Sequence, residues 1–178
     1  LTRKALHLLY NFGFPAHMLT KSILIKRDLD ILKKILEKNG LLPSFSFSSS
    51  NEKISSIFEP GVPSPTQRLN TIKELKAQNI PCGAFLMPVI PFISDTPDIM
   101  EKTISDLKDA GADYIIFGGM TLKEGRQKDY FMKTLEKHYP QLIPDYEAIY
   151  YGDKWGNATG EYYKSISILY HRLMKKYK

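Results

Sequence analysis

Cysteine is nearly missing from this chain, since Cys82 is the only one among its 178 residues. One thiol excludes an internal disulfide framework, and it cannot supply the several thiolates that hold an iron–sulfur cluster or a cysteine-based metal site. The four histidines show no spacing typical of metal ligands. The residues of this chain therefore predict no metal site of their own.

Long hydrophobic runs are also lacking. No apolar stretch approaches the roughly 20 residues that cross a bilayer, and the first residues do not form a cleavable signal peptide. We therefore expect a cytoplasmic protein without a membrane partner. No Ser-His-Asp or Cys-His order suggests a nucleophile, and Gly118-Gly119 matches neither a dinucleotide fingerprint nor a P-loop. That glycine pair would at most permit close approach of a ligand to the backbone.

The overall composition is that of an ordinary globular domain, with 43% hydrophobic and 25% charged residues. A net charge of +6 favours anionic partners such as nucleic acid. Many basic residues, however, occupy exposed positions of predicted helices, as Lys33 and Lys34 do. A solvated surface explains the charge as well as a nucleic-acid face does.

A proline-rich turn at residues 59–69 is the most distinctive local feature. Ser64 is a candidate N-cap, Pro65 suits the first helical position, and Gln67 completes a Ser-x-x-Gln capping box. Glu59 and Arg68 bracket this turn. The pattern predicts a rigid connection that leads into an amphipathic helix.

Strands and helices alternate along the chain at roughly 30-residue spacing, which is typical of βα units on a parallel sheet. After Gly125 we expect a helix to about residue 139, a loop holding Pro140, Pro144 and Asp145, and a last helix. The predicted fold is of the α/β class: a partial (β/α) barrel of about four parallel strands with a helical C-terminal extension. Residues 1–178 would form one domain, with the barrel at 1–124 and the helical cap at 125–178. Predicted strands cover 17–22, 42–48, 80–89 and 113–117; predicted helices cover 1–12, 28–39, 96–110 and 159–177, with one more from Ser64 and a short turn around Ile54 and Ile57.

The first predicted strand would have an unpaired edge, which parallel sheets rarely tolerate. Two explanations stay open: another chain covers this edge, or an N-terminal segment of the barrel is missing from this chain.

Ligands of parallel α/β folds bind at the carboxyl ends of the strands. Lys21 follows the first strand and could bind a carboxylate or phosphate, or be a solvated lysine. Ser46 and Ser48 alternate with phenylalanines, so they share one side of their strand, where they either line a polar site or fill space. Residues 87–91, which begin with Met87-Pro88, suit a flat apolar wall against an aromatic ring or ordinary packing. Cys82 is predicted to be a small core residue rather than a nucleophile.

Aromatic residues cluster near the C-terminus, together with Lys154. Such rings either stack bases, as in proteins that bind single-stranded nucleic acid, or anchor a cap to the barrel. The cluster comprises Tyr146, Tyr150, Tyr151, Trp155, Tyr162 and Tyr163.

Several segments, taken in order, resemble the radical S-adenosylmethionine proteins related to spore photoproduct lyase. The resemblance covers about residues 20–156 and depends on the ordered combination of its pieces. These are Thr20-Lys21-Ser22 with Arg27-Asp28-Leu29-Asp30, the serine strand, Glu59-Pro60-Gly61 with Ser64-Pro65 and Arg68, the run 80–91, the run 135–140, and Lys154-Trp155-Gly156.

The resemblance implies that S-adenosylmethionine lies across the strand ends and yields a 5′-deoxyadenosyl radical in the intact enzyme. Lys21 would meet the cofactor carboxylate. Ser46, or Ser48 under a shifted register, would contact its polar groups. The wall that contains Met87 and Pro88 would lie near the adenine. Lys154 and Trp155 would contact the substrate.

Two departures from the family pattern shape the expectation. The three-cysteine loop that binds the [4Fe-4S] cluster is absent, so the cluster would be bound by a segment not in this chain. The chain would then be an inactive C-terminal portion of the enzyme. Asn157-Ala158 also replaces the Arg-Tyr that follows the Trp-Gly pair in the lyase pattern. The lyase's own DNA lesion is therefore not the expected substrate, although nucleic acid stays a candidate class.

Two alternatives from other classes stay open. One is a non-enzymatic α/β module that binds nucleic acid through its basic surface and aromatic cap. The other is an ordinary barrel enzyme that a partner chain completes.

Overall fold

The computed structural model describes residues 1–177 and contains one parallel sheet. Its strands are β1 (Ala16–Thr20), β2 (Leu41–Phe47), β3 (Gly83–Leu86) and β4 (Ile115–Phe117). They lie in the order β1-β2-β3-β4, and each neighbouring pair is parallel. The predicted four-stranded parallel sheet of an α/β protein is therefore confirmed.

Helices connect the strands and form the C-terminal part. They are α1 (Thr2–Phe12), α2 (Leu29–Lys38), α3 (Glu52–Phe58), α4 (Pro65–Lys76), α5 (Pro97–Asp109), α6 (Arg126–His138), α7 (Ile143–Ile149) and α8 (Gly160–Lys176), with short 3-10 helices at Ile23–Asp28 and Pro140–Leu142. None of these described helices has the length and hydrophobicity that a membrane span requires.

Three local predictions were wrong. Helix α3 replaces the predicted short turn, and α7 replaces the predicted loop because Pro144 lies in the first helical turn, where its missing N–H is tolerated. Strand β3 is shorter than the predicted 80–89. The Cys82 N–H donates to the Asp113 carboxylate at 2.7 Å, outside the strand ladder.

The predicted start of α4 is confirmed in detail. The Ser64 N–H donates to Gln67 Oε1 at 2.9 Å, and the Gln67 N–H donates back to Ser64 Oγ at 3.4 Å. These reciprocal bonds satisfy donors that a helix N-terminus otherwise leaves unpaired. Thr96, the predicted cap of α5, makes no such side-chain bond.

The strand register separates two faces of the sheet. Phe45 and Phe47 of β2 are fully buried beneath helices, whereas Ser46 points to the other face. That inner face is only partly covered in the described residues, since Leu19 is 51% exposed and Ile116 is 43% exposed. Strand β1 forms one edge of the sheet, as the sequence predicted.

Two hydrophobic clusters stabilise the molecule. The larger one lies between the sheet and helices α1, α2, α4 and α5, and includes Tyr170 and Leu173 of α8. The smaller one joins Ile54 of α3 and Ile90 after β3 to Leu135 of α6. The C-terminal helices therefore pack against both the sheet and the segments that follow its strands.

Candidate functional site at the carboxyl ends of the strands

Three strand ends meet at Lys21, which follows β1. Its ammonium donates to Ser46 Oγ of β2 at 2.8 Å, and Ser46 Oγ donates to the carbonyl oxygen of Met87, after β3, at 2.8 Å. The structure thus brings together three of the residues that the sequence selected. Because the chain links β1, β2 and β3 in one hydrogen-bonded row, the position of the ammonium is fixed by the sheet.

The two ends of this row differ in what they can still bind. The Ser46 hydroxyl accepts one hydrogen bond and spends its only proton on Met87, so it acts mainly as a support. The Lys21 ammonium has three donors and makes one hydrogen bond to the described residues, while its side chain is 31% exposed. Lys21 can therefore bind an anion without breaking the row.

A buried ion pair lies beside this row. Arg68 is fully buried and donates to Glu59 Oε2 at 2.7 Å, to the Ser46 carbonyl oxygen at 2.6 Å and to Ser55 Oγ at 3.1 Å. Its guanidinium carbon lies 4.8 Å from the centre of the Phe47 ring. The sequence predicted that Glu59 and Arg68 bracket a turn and did not predict them in the site. Both belong to the ordered set of family-like segments that also contains Lys21, and this was the available signal.

The charges of this cluster do not cancel. Glu59 Oε1 lies 3.7 Å from Lys21 Nζ, and its other oxygen pairs with Arg68. Two cations and one carboxylate leave one net positive charge at the strand ends, where Lys21 is its accessible carrier. The arrangement suits a ligand that carries one negative group.

A groove of about 720 Å³ begins at this cluster. Lys21, Glu59 and Pro88 line it, together with Lys123 and Arg126. Pro88 therefore shares the groove with Lys21, whereas the Met87 side chain lies against Gly118 and does not line the groove. The apolar wall stays a prediction.

The glycine pair after β4 serves packing. A Cβ atom on Gly118 would lie 2.3 Å from Met87 Cε, and one on Gly119 would lie 3.0 Å from the Tyr163 ring. Close approach at Gly118-Gly119 is therefore made by side chains of the protein itself. Gly119 also lines a cavity of about 350 Å³, and the approach of a ligand to the backbone there stays a prediction.

Ser48 does not join the site. It is buried, its hydroxyl has no hydrogen-bond partner among the described residues, and it does not line the groove. Ser46 is the serine that the fold brings to Lys21.

Trp155 lies beside Lys123, which lines the groove. Its ring centre is 4.7 Å from Lys123 Nζ and 5.2 Å from Lys154 Nζ, and the residue is 57% exposed. Gly156 fixes this position. Its φ is +72°, and a Cβ atom there would lie 2.1 Å from the backbone nitrogen of Lys123. Lys154 lines an adjoining cavity of about 540 Å³. The two predicted substrate residues are thus neighbours, but neither lines the groove that Lys21 lines.

Three tyrosines of the aromatic cluster anchor the loops that follow the strands. The hydroxyl of Tyr146 donates to the Pro91 carbonyl oxygen at 2.7 Å, that of Tyr150 to the Met120 carbonyl oxygen at 2.9 Å, and that of Tyr162 to Asp95 at 2.6 Å. Burial raises the pKa of all three phenols. For these rings the anchoring interpretation holds. Tyr151 and Trp155 are exposed instead.

Cys82 is a core residue. It is fully buried, and burial raises the pKa of its thiol to about 12. A thiol with such a pKa is not a nucleophile at neutral pH. Within residues 1–177, no group of three or more His, Cys, Asp or Glu side chains is arranged to hold a metal ion.

Comparison with curated proteins finds relatives of similar sequence, but their descriptions name no activity. The three relatives named below are described as uncharacterized proteins. A Mycobacterium tuberculosis protein is 26% identical over 138 residues, which is 78% of this chain and 40% of the relative. A protein from Acidianus two-tailed virus is 28% identical, and the match covers 75% of this chain and 44% of that relative. A protein from Methanocaldococcus jannaschii is 29% identical, and the match covers 74% of this chain and 46% of that relative. The chain therefore spans less than half the length of the curated relatives it matches. No protein-family model matches it.

Comparison with solved structures identifies the fold. Spore photoproduct lyase complexed with dinucleoside spore photoproduct superposes with a TM-score of 0.70 at 18% identity, covering 99% of this chain and 52% of the lyase. A mutant of that lyase with bound AdoMet and dinucleoside spore photoproduct gives a TM-score of 0.69 at the same identity and coverage. The α/β fold of this chain, with its four-stranded parallel sheet, is therefore the fold found in about half of spore photoproduct lyase.

Proposed function

We propose that this chain is the C-terminal part of a radical S-adenosylmethionine enzyme that depends on a [4Fe-4S] cluster. The observation that carries the proposal is the ammonium of Lys21. It is fixed at the strand ends by Ser46, retains unused donors, and carries the net positive charge of its cluster. The carboxylate of S-adenosylmethionine is a group of the opposite charge, which this ammonium can bind.

The residues present fit the cofactor but not the cluster. Lys21 would hold the carboxylate, Ser46 would hold Lys21, and Met87 with Pro88 would form the apolar wall beside the nucleoside. A groove of about 720 Å³ has room for a ligand of this size. Cys82, by contrast, is buried and single, so cluster ligands would have to come from outside this chain.

When bound, the cofactor supplies the radical chemistry of such an enzyme. The residues of this chain bind and orient it. The row from Lys21 through Ser46 to Met87 would fix the charged end of the ligand relative to the sheet, and the groove that Pro88 lines leaves space for a substrate.

Replacement of Lys21 tests the proposal. In the full-length protein, Lys21→Ala should lower the affinity for S-adenosylhomocysteine about tenfold to a hundredfold, because a hydrogen bond to a charged group contributes about 1.5–3 kcal/mol. The affinity for 5′-methylthioadenosine, which lacks the carboxylate, should stay the same. Isothermal titration calorimetry with both ligands measures the difference.

Lys26→Ala is the matched control, because Lys26 is also half-buried but pairs with Glu74 away from the groove. It should leave both affinities unchanged. An equal loss for both ligands in Lys21→Ala, or no loss for either, would contradict the proposal.

For the substrate, we propose nucleic acid. Lys123 and Lys154 lie beside the exposed Trp155 ring, and Lys123 and Arg126 line the groove. None of these three cations forms an ion pair with a carboxylate among the described residues. Cations bind phosphates and an indole ring stacks on bases. The structurally similar lyase contains a bound dinucleoside. The different pair at Asn157-Ala158 makes another lesion or nucleotide the better candidate than that dinucleoside.

Salt dependence tests this second proposal. Trp155→Ala should weaken binding of a single-stranded oligonucleotide by about 1–3 kcal/mol per stacked base. Lys154→Gln should lower the slope of log affinity against log salt by about one. Fluorescence anisotropy at several salt concentrations measures both, with Lys26→Gln as the charge-matched control.

The oligonucleotide titration and the calorimetry with S-adenosylhomocysteine together separate the enzyme from a non-enzymatic nucleic-acid module. A module would bind the oligonucleotide through Trp155 and show no carboxylate-dependent binding of S-adenosylhomocysteine at Lys21. The third candidate, a barrel that a partner chain completes, would sediment as a complex and would likewise lack that ligand preference.

A further inference from the structure

The ammonium of Lys21 has an anionic neighbour of its own. Glu59 Oε1 lies 3.7 Å from Lys21 Nζ. A charge-assisted hydrogen bond between these groups would be about 2.7–2.9 Å long. The carboxylate therefore attracts the ammonium without taking up one of its donors.

Arg68 holds Glu59 at that distance. It donates to Glu59 Oε2 at 2.7 Å, and Ser55 Oγ donates to the same oxygen at 3.3 Å. Arg68 cannot follow Glu59 toward Lys21, because it is fully buried, bonded to the Ser46 carbonyl oxygen and packed on Phe47. The position of Glu59 is thus set from its buried side.

We propose that Arg68 is a positioning residue for the anion site: it keeps Glu59 from capturing Lys21, so that the ammonium stays open to the carboxylate of the ligand. This inference rests on the proposed function, and it adds an internal competitor and the residue that restrains it. Glu59 is a carboxylate like the ligand's own, and both compete for the same ammonium.

The charge balance gives the consequence of removing Arg68. Without its guanidinium, the buried Glu59 carboxylate has Lys21 as its remaining cation within reach. A buried charge left without its partner is strongly disfavoured, so Glu59 and Lys21 should close into a hydrogen-bonded pair. The net charge of the cluster falls from +1 to zero, and the ligand carboxylate loses its partner. The adenosine part of the ligand is unaffected.

A ratio of affinities reports this effect separately from folding. In full-length protein, calorimetry gives the preference for S-adenosylhomocysteine over 5′-methylthioadenosine. We expect Arg68→Met to reduce this preference about tenfold. The double variant Arg68→Met with Glu59→Gln should recover most of the preference, because nothing then competes for Lys21. Leu75→Ala is the control: it destabilises the same helix from a fully buried position and should leave the preference unchanged.

Glu59→Gln alone gives an independent test that does not require Arg68→Met to fold. It removes the competing charge while Arg68 keeps its bonds to Ser46 and Ser55. The preference for the carboxylate-bearing ligand should rise several-fold. A fall, or an unchanged preference in both Arg68→Met and Glu59→Gln, overturns the inference.

Lys21→Ala distinguishes this failure from failure of the proposed function. If the wild type shows no preference, or if Lys21→Ala keeps it, the proposed function is wrong. If Lys21→Ala abolishes the preference while Arg68→Met leaves it intact, only the role of Arg68 is wrong.

Discussion

Asp95 is a buried carboxyl group whose hydrogen-bonding partner is a tyrosine. It is 8% exposed, Tyr162 Oη donates to it at 2.6 Å, and it forms no ion pair among the described residues. Burial raises the pKa of Asp95 above its usual range. The folded state therefore binds this proton more tightly than the unfolded chain does.

This raised pKa predicts a pH dependence of stability. The contribution of Asp95 is fully present below its unfolded pKa of about 3.9 and is lost as pH rises through the folded pKa. Asp95→Asn keeps an acceptor for Tyr162 and removes the titration. The free energy of unfolding of the variant minus that of the wild type should increase as pH rises from acid to neutral, which urea unfolding at a series of pH values measures.

Asp109→Asn is the control, since Asp109 is exposed at the end of α5. The difference in free energy of unfolding between Asp109→Asn and the wild type should not show this increase with pH. A difference that is constant with pH for Asp95→Asn would show that its carboxyl group does not carry the effect.

At the residue scale, the sequence indicated positions more readily than pairings. Lys21 and Ser46 were selected as candidates because strand ends can be located from hydrophobic patterns, and Met87 because it begins a proline-containing run. The pairing of Glu59 with Arg68 was not found. The two are nine residues apart across a turn, and nothing local shows that both side chains point under β2.

At the scale of the element, α4 places Arg68 within its first helical turns. Ser64 and Gln67 close the capping box at its start, and Pro65 occupies the first turn. The cap therefore also supports the buried guanidinium beneath Lys21.

Loss of this cap should be measurable. Ser64→Ala should lower the free energy of unfolding by about 1 kcal/mol, as loss of an N-cap does in other proteins. Ser105→Ala inside α5 is the matched control and should cause no such loss, because alanine is the better helix former there. Urea unfolding measures both. Equal stability of Ser64→Ala and the wild type would show that the capping box does not stabilise α4.

The alternation of elements was predictable, but the short ones were not. Strands β1, β2 and β4 and the long helices follow apolar patterns that extend over enough residues to be read. Helices α3 and α7 have seven residues each, too few to show a period, and Pro144 favoured a loop until its place in the first turn was seen. Strand β3 is short because it lies between Pro81 and Pro88, which cannot donate to a ladder.

At the scale of the whole molecule, the sheet is joined to the C-terminal helices by tyrosine hydroxyls and two apolar clusters. The division into a barrel at 1–124 and a cap at 125–178 stays a prediction. Leu19 and Ile116 on the inner face are partly exposed, and β1 is an edge. A covering N-terminal segment or partner chain also stays a prediction.

The fold was predictable because parallel βα units leave a strong pattern, and the likeness to spore photoproduct lyase confirms it at 18% identity. The substrate was not predictable. The proposed substrate site consists of a few exposed side chains near Trp155, and their arrangement follows from close packing at Gly156 rather than from any periodic pattern.

The most direct test of the central claim is a crystal structure of the full-length protein with S-adenosylmethionine bound. The account predicts that a carboxylate oxygen of the ligand lies within hydrogen-bond distance of Lys21 Nζ, while Ser46 still links Lys21 to Met87 and Glu59 stays on Arg68. A ligand whose carboxylate is bound elsewhere, with Lys21 directed only at Ser46 and Glu59, would contradict it.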